Sequence, residues 1–189
     1  MWRRVSRRAL VLGGVAAITG LGIRTVLRQS PAPFGDDPLA TLPMRITRRT
    51  EWGAAHPLAI SRLEPGAYDP VINRSGWRVY DASLNTLLRT IAVHHSALPG
   101  SDGPAQIQAL HQGTRGFADI AYHFLVNADG TVFEGRDLRV RGAHVGGHNT
   151  GTIGVCLLGN FETSQPSSLQ LAALDELAVA LRTAFGLSH

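Results

Sequence analysis

A continuous apolar run, Ile153 to Leu158, is the feature that most constrains how this chain folds. Four to eight uninterrupted apolar residues are typical of a strand that is buried on both faces in the middle of a sheet. A second apolar run, Thr90 to Val93, leads directly into the histidine pair His94-His95. It predicts another buried strand, Thr90 to His94. The fold therefore has to cover both faces of a sheet.

The remaining elements are a hairpin and two helices. The turn Asn127-Ala128-Asp129-Gly130 is a hairpin signature, with glycine at the position that needs a positive φ. Ser167 or Ser168 is predicted to cap a final helix, which ends at Gly186. Together these elements predict an α/β fold, a single domain with a central mixed β-sheet flanked by helices. The two hairpin strands are predicted over 120–126 and 131–134, and a middle helix over 105–112.

Residues 1–29 are predicted to be an export signal or an N-terminal anchor. They hold six arginines and no acidic residue, followed by an apolar stretch at residues 9–23. Ser6-Arg7-Arg8-Ala9-Leu10 resembles a twin-arginine signal. The apolar stretch is shorter than the roughly 20 residues that span a bilayer comfortably, so membrane anchoring through residues 9–23 and a cleaved signal are both open. In either case the body is expected to be exported, to the periplasm, the cell wall or the extracellular space.

The rest of the chain divides into a linker and one domain. Residues 30–44 contain four prolines and show no hydrophobic periodicity, which predicts an extended linker. Residues 45–189 have the length of one domain of ordinary size.

Composition excludes two classes of protein. The net charge of +4 comes from the leader, because beyond residue 30 there are 12 arginines against 14 acidic residues and no lysine. The body therefore lacks the basic patch of a nucleic-acid-binding domain, and we expect no nucleic-acid partner. The single cysteine, Cys156, excludes an intramolecular disulfide framework. Its apolar neighbours favour a small buried hydrophobe over a nucleophile or metal ligand.

Several histidines are candidates for metal binding, since histidine is the commonest protein ligand of zinc. Successive side chains of a strand point to opposite faces, so at most one of His94 and His95 faces a common site. The same argument separates Tyr122 from His123. The other polar candidates are His111, which is predicted to pack from a helix, His148, which is predicted to lie in a loop, and His144 and Asn149.

Four motifs occur in an order that resembles one known family. They are Arg49-Thr50-Glu51-Trp52-Gly53-Ala54; Ile91-Ala92-Val93-His94-His95-Ser96-Ala97; Asp119-Ile120-Ala121-Tyr122-His123-Phe124-Leu125-Val126 with Asp129-Gly130-Thr131-Val132-Phe133-Glu134-Gly135-Arg136; and Gly142-Ala143-His144 through Asn149 with Thr152-Ile153-Gly154-Val155. The family is the zinc-dependent N-acetylmuramoyl-L-alanine amidases, which share a domain with the peptidoglycan recognition proteins. The resemblance covers roughly residues 45 to 187.

The resemblance implies a function and roles for four residues. His94 would bind Zn²⁺, and Tyr122 would orient and polarise the attacking water or the substrate carbonyl. His144 and Asn149 would lie along a groove that holds the glycan-peptide stem. The reaction would be hydrolysis of the amide between the lactyl group of N-acetylmuramic acid and L-alanine, so the expected partners are peptidoglycan and muropeptides.

The chain departs from the family pattern after its last helix. Family members place there a strand resembling Gly-His-Arg-Asp, which supplies a second histidine ligand, and then a cysteine or aspartate. In this sequence His189 is the only histidine that remains, which predicts a C-terminally truncated domain with the last strand missing. Two alternatives to an active amidase follow: a domain that binds peptidoglycan without cleaving it, and a structural envelope protein.

Overall fold

The computed structural model describes residues 37–66, 69, 71–73 and 76–187. The predicted export signal lies outside these residues, together with its twin-arginine pattern and the apolar stretch at residues 9–23. The last histidine, His189, lies outside them too. Within the described part of the chain, no helix has both the length and the apolar character needed to cross a membrane.

Four helical segments and four strands make up the described domain. The predicted strand before the histidine pair is confirmed and extends to His95, and the final helix begins at Ser168, directly after its predicted cap. In chain order the elements are α1 (Leu84–Leu87), β1 (Thr90–His95), α2 (Pro104–Leu110), a π-helical turn (His111–Arg115), β2 (Phe124–Val126), β3 (Val132–Glu134), β4 (Thr152–Leu157) and α3 (Ser168–Phe185).

The strands form one mixed sheet in the order β1-β4-β2-β3. β4 runs parallel to both β1 and β2, and the hairpin strands β2 and β3 are antiparallel. The predicted central position of the apolar run is thus confirmed, because β4 has a hydrogen-bonded neighbour on each side. The register places His94 of β1 opposite Cys156 of β4. Gly130 in the hairpin turn has the positive φ that its sequence predicted, +85°.

Both faces of the sheet are covered. On one face Leu177 and Leu181 of α3 pack against Val155 of β4, and all three side chains are fully buried. Burial of one such side chain contributes about 1.5–3 kcal/mol to the free energy of folding, relative to leaving it exposed to water. On the other face Cys156 packs with Ile107 of α2. The uninterrupted apolar run therefore exists because alternate residues of β4 enter two different cores.

β2 is shorter than predicted, since residues 120–123 do not form a strand. Their backbone groups are satisfied in other ways. The amide of Ala121 donates to Nδ1 of His111 over 3.0 Å, and the amide of His123 donates to the carbonyl of Gly154 over 2.8 Å. The apolar pattern could not show this, because it reports burial rather than the hydrogen-bond partner.

The predicted linker is also wrong at its C-terminal end. Leu39 and Leu42 lie within residues 30–44, yet both are buried and join the core that α3 covers. The folded part of the chain thus begins before Arg45. Pro38 and Pro43 interrupt any periodic pattern around these two leucines, so no hydrophobic periodicity predicts their burial.

Helix α3 is held at both ends and at its first turn. The hydroxyl of Ser167 accepts a hydrogen bond from the amide of Gln170, which is N-capping. Gly186 adopts the left-handed conformation that ends a helix. The side-chain amide of Gln170 is fully buried and donates to the carbonyls of Val126 and Leu158. This side chain ties α3 to the ends of β2 and β4.

Candidate functional site

The candidate site lies where β1 ends beside the loop that follows β3. Nε2 of His94 and Nδ1 of His144 are 3.1 Å apart. The Tyr122 ring centroid lies 5.4 Å from that of His94 and 6.1 Å from that of His144. Three of the four side chains singled out by sequence are thus brought together from segments far apart in the chain.

Two glycines make room for the imidazole of His144. A Cβ atom at Gly142 would lie 2.6 Å from Nε2 of His144, and one at Gly154 would lie 2.5 Å from it. Both distances are shorter than a van der Waals contact, so any side chain at either position would displace the ring. Nε2 is buried and has no hydrogen-bond partner of normal geometry among the described residues. The two glycines are visible in the sequence, but their contact with the ring of His144 cannot be predicted from it.

Asn149 has a structural role in the same loop. Its side-chain oxygen accepts hydrogen bonds from the amides of His144 and Val145, each over 2.8 Å. Asn149 therefore closes the turn that carries His144. It also lines a groove of about 580 Å³, together with Leu63, Phe117, Arg141 and Ala143. The predicted groove residues His144 and Asn149 both lie on the wall of this groove.

Burial keeps the candidate side chains in their neutral forms near pH 7. Burial and then the neighbouring charge of His95 lower the pKa of His94. Burial lowers the pKa of His144 to about 3 and raises the pKa of Tyr122 far above its usual value. A neutral imidazole is the form that binds metals or accepts protons, and a protonated phenol is a hydrogen-bond donor.

The alternation argument for adjacent residues is confirmed. His95 points away from His94, and its Nδ1 accepts a hydrogen bond from the amide of Phe161 over 3.0 Å. His123 points away from Tyr122 and is 1% exposed. Its Nδ1 accepts from the amide of Gly154, and its Nε2 donates to the carbonyl of Val140. His148 lies exposed in the loop, as predicted.

Sequence reasoning missed two contacts of Tyr122. Cys156 is fully buried, as predicted, and Tyr122 packs against the core cluster that contains it. The ring centroid of His111 lies 5.5 Å from that of Tyr122. Nδ1 of His111 accepts a hydrogen bond from the amide of Ala121, the residue before Tyr122. The prediction that Cys156 is a small buried hydrophobe is confirmed. Strand alternation could have predicted that Tyr122 packs near Cys156 only if the order of the strands in the sheet had been known.

A buried ion pair supports the segment that leads to Tyr122. The two terminal guanidinium nitrogens of Arg136, Nη1 and Nη2, donate to the carboxylate of Glu64 over 2.7 and 2.9 Å. Arg136 also donates to the backbone carbonyls of Asp119 and Ile120. Its guanidinium lies 4.7 Å from the ring centroid of Trp77. Only the place of Arg136 in the hairpin motif marked it in the sequence, and Glu64 carried no signal.

The described residues fit part of a zinc site. Nδ1 of His94 has no hydrogen bond to another described residue, and a neutral imidazole is a normal zinc ligand. Across residues 37–66, 69, 71–73 and 76–187, however, no group of three or more His, Cys, Asp or Glu side chains could hold a metal ion. Catalytic zinc usually has three protein ligands. Among the described residues, His94 would be one such ligand, and the others would have to lie outside the described residues.

Comparisons with known proteins agree on one family. Residues 84–189 match the family Amidase_2, described as N-acetylmuramoyl-L-alanine amidase. Peptidoglycan-recognition protein SC2 of Drosophila melanogaster is 37% identical over 114 residues, which are 54% of this chain and 62% of that protein. The chain thus spans about three fifths of the length of this curated relative.

Solved structures share the fold. The endolysin N-acetylmuramoyl-L-alanine amidase LysCS of Clostridium intestinale is similar with a TM-score of 0.52 and 26% identity, over 64% of this chain and 74% of that one. Peptidoglycan recognition protein-LE, in complex with tracheal cytotoxin, is similar with a TM-score of 0.58 and 26% identity, over 76% of each chain. The predicted mixed α/β domain is confirmed by these neighbours.

Proposed function

The chain belongs to the N-acetylmuramoyl-L-alanine amidase family, and we propose that it binds peptidoglycan and hydrolyses the amide between the N-acetylmuramoyl lactyl group and L-alanine. The observation that carries this proposal is the meeting of His94, Tyr122 and His144, because His144 also lies on the wall of the groove. These three side chains are neutral near pH 7, which suits hydrolysis of an uncharged amide.

Two structural neighbours support the choice of substrate. LysCS is an amidase of this specificity, and recognition protein-LE holds monomeric diaminopimelic acid-type peptidoglycan. The groove of this chain, about 580 Å³, has the size of sites that take small ligands. We propose that a muropeptide lies along it, with its lactyl-alanine amide next to His94.

Each side chain has a defined task in such a reaction. The phenol of Tyr122 stays protonated and would donate a hydrogen bond to the carbonyl oxygen of the amide, where negative charge develops. His94 would present a neutral imidazole to the reacting group. Zinc, held there by His94, would polarise the carbonyl and lower the pKa of bound water to about 7.

Cleavage of a defined muropeptide tests this proposal. The full chain is incubated with N-acetylmuramoyl-pentapeptide, with added Zn²⁺ or with a chelator, and the products are separated by mass. We expect free peptide with an N-terminal L-alanine in the presence of zinc, and its loss with the chelator and in H94A. The variant H148Q, changed at an exposed loop histidine, is the control and should cleave normally. Intact substrate under all conditions would contradict the enzymatic proposal.

A second candidate is binding without cleavage. The observation that favours it is that the described residues contain no group of three side chains that could hold a metal ion. In that case the chain would sediment with insoluble peptidoglycan in the presence of a chelator and would leave it uncleaved. Absence of both cleavage and sedimentation would leave the structural envelope protein as the remaining alternative.

The proposed substrate also gives a location. Peptidoglycan lies outside the cytoplasmic membrane, so the chain would have to be exported, which agrees with the leader predicted at residues 1–29. We propose that residues 1–29 direct export. Fusion of these residues to a reporter, followed by cell fractionation, would test this, with R7K/R8K as the variant that blocks a twin-arginine route. A reporter that stays in the cytoplasm would contradict it.

A further inference from the structure

A buried tyrosine, to which no sequence pattern gives a role, lies beside the loop that carries His144. Residues 144–151 form this groove loop, five of which line the groove. Tyr80 is 1% exposed. Its hydroxyl accepts a hydrogen bond from the amide of Gly151 over 3.1 Å and donates to the carbonyl of Asn149 over a longer 3.4 Å. The phenol therefore holds the C-terminal end of the groove loop from inside the domain.

The backbone of Tyr80 is bonded to the segment that precedes the groove loop. Its amide donates to the carbonyl of Arg139 over 2.8 Å. An antiparallel bridge also joins the neighbouring residue Val79 to Val140. Tyr80 is thus connected to both sides of the groove loop, through its backbone before His144 and through its hydroxyl after it.

The composition of the groove loop makes its order depend on such bonds. Glycine occupies three of its eight positions, 146, 147 and 151, and glycine loses more conformational freedom on ordering than any other residue. Residues 146–148, in the middle of the loop, are exposed. Gly151 has a φ of +73°, and a Cβ atom there would lie 2.6 Å from the carbonyl oxygen of Leu87. The loop is therefore fixed at its ends rather than along its length.

The bonds of Tyr80 reach the candidate site through Asn149. The carbonyl of Asn149 accepts from the Tyr80 hydroxyl, and its side-chain oxygen accepts from the amides of His144 and Val145. A shift of the Asn149 backbone would therefore move the turn that carries His144. Nδ1 of His144 lies 3.1 Å from Nε2 of His94, so such a shift would also change the candidate site.

We propose that Tyr80 is a positioning residue, which holds the groove loop in its ligand-binding shape before a ligand arrives. A loop that is already ordered loses little conformational entropy when a ligand binds, and the affinity is higher for that reason. The ligand meant here is a muropeptide, so the effect of Tyr80 on affinity rests on the proposed function. The order of the groove loop in the unliganded protein does not.

Nitrogen relaxation of the unliganded protein tests the first step and needs no variant. The full chain is labelled with ¹⁵N, and order parameters of the backbone amides are determined. We expect the amides of residues 146–150 to have order parameters of about 0.85, the value of rigid backbone. Values below about 0.6, typical of flexible backbone, would overturn the inference, because the loop would then not be held.

The variant Y80F removes one oxygen atom and keeps the ring. We expect the order parameters of the groove loop to fall toward about 0.6, while that of Val155 in β4 stays unchanged. A role in overall stability alone would lower the urea midpoint without changing the order parameters of the folded protein. The matched control is S164A, which removes a hydroxyl that donates to the carbonyl of Asn160 over 2.8 Å in an exposed loop. Equal order parameters in Y80F and in the unmodified protein would overturn the role of Tyr80.

Muropeptide binding connects the groove loop with the proposed function. N-acetylmuramoyl-pentapeptide is titrated into each protein by calorimetry, with a chelator present to prevent hydrolysis. We expect the Kd of Y80F to be about 3–10 times that of the unmodified chain, the effect of one lost hydrogen bond, and the Kd of S164A to be unchanged. Equal Kd values for Y80F and the unmodified chain would overturn the positioning role. No binding by the unmodified chain would contradict the proposed function, whereas the order parameters would still support or overturn the role of Tyr80 in the loop.

Discussion

Replacement of Glu64 by glutamine tests how strongly the buried ion pair supports the domain. The Arg136 side chain is fully buried and that of Glu64 is 5% exposed. E64Q keeps the shape of the side chain but leaves the guanidinium charge without a counter-charge. Removal of one partner of a buried pair costs about 3–5 kcal/mol. That is a large part of the roughly 5–15 kcal/mol by which a typical domain is stable.

Urea denaturation measures this cost. For a domain of this size the free energy of unfolding falls by about 2 kcal/mol per molar urea, so a loss of about 4 kcal/mol lowers the midpoint by about 2 M. Trp77 is a suitable fluorescent reporter, because its ring lies against the Arg136 guanidinium. Arg136 also donates to the carbonyls of Asp119 and Ile120, so E64Q should loosen the segment that leads to Tyr122.

An exposed ion pair provides the matched control. Arg45 and Glu51 form a salt bridge with side chains that are 80% and 40% exposed. Such pairs contribute about 0–1 kcal/mol, so R45Q should move the urea midpoint by less than about 0.5 M. Equal and small shifts in R45Q and E64Q would refute the argument that burial makes the Glu64–Arg136 pair important.

Three further predictions concern the site and its histidines. G154A places a methyl group 2.5 Å from Nε2 of His144, so it should displace that ring and cost about 1–3 kcal/mol; an unchanged urea midpoint and unchanged His144 signals in NMR would contradict this. H111L removes the acceptor of the buried Ala121 amide and should cost about 1–3 kcal/mol, whereas H111N, which keeps an acceptor oxygen, should cost less in the same assay. Burial lowers the pKa of His123 and of His111 to about 4, below the roughly 6.5 of an unfolded chain. The unfolded chain therefore binds protons first, and the free energy of unfolding should fall between about pH 7 and pH 4, by about 3 kcal/mol for His123 alone; a constant urea midpoint over this range would contradict it.

The parts of the fold that sequence predicts well are those where burial alternates or continues along one strand. The run at Ile153 to Leu158 required cover on both sides, and the structure supplies α3 on one side and α2 on the other. Residues 120–123 have the same apolar character but do not form a strand. Their hydrogen-bond partners, such as Nδ1 of His111, come from distant side chains, and no local pattern contains that information.

The candidate site likewise has one part that the sequence predicts and one part that it does not. Alternation separates His94 from His95 without any knowledge of the fold, because it depends only on strand geometry. The contact between His94 and His144 depends on how a loop 50 residues downstream folds back. That loop is shaped by Asn149, which accepts two backbone amides, and by glycines that admit the ring. These are three-dimensional fits, so the local sequence marks His144 only as one histidine among several, and its place in the groove is implied by the resemblance to the family.

The parallel pairing of β1 with β4 has a consequence for the order in which the domain assembles. Each residue of β1 meets a partner that lies about 60 positions later in the chain. At a synthesis rate of about 5–20 residues per second, that partner is made about 3 to 12 s after β1. Contacts between residues so far apart in the chain also form slowly after the chain has left the ribosome. His94 therefore reaches its place beside Cys156 only after β4 has been made, although His94 itself is synthesised about 60 residues earlier.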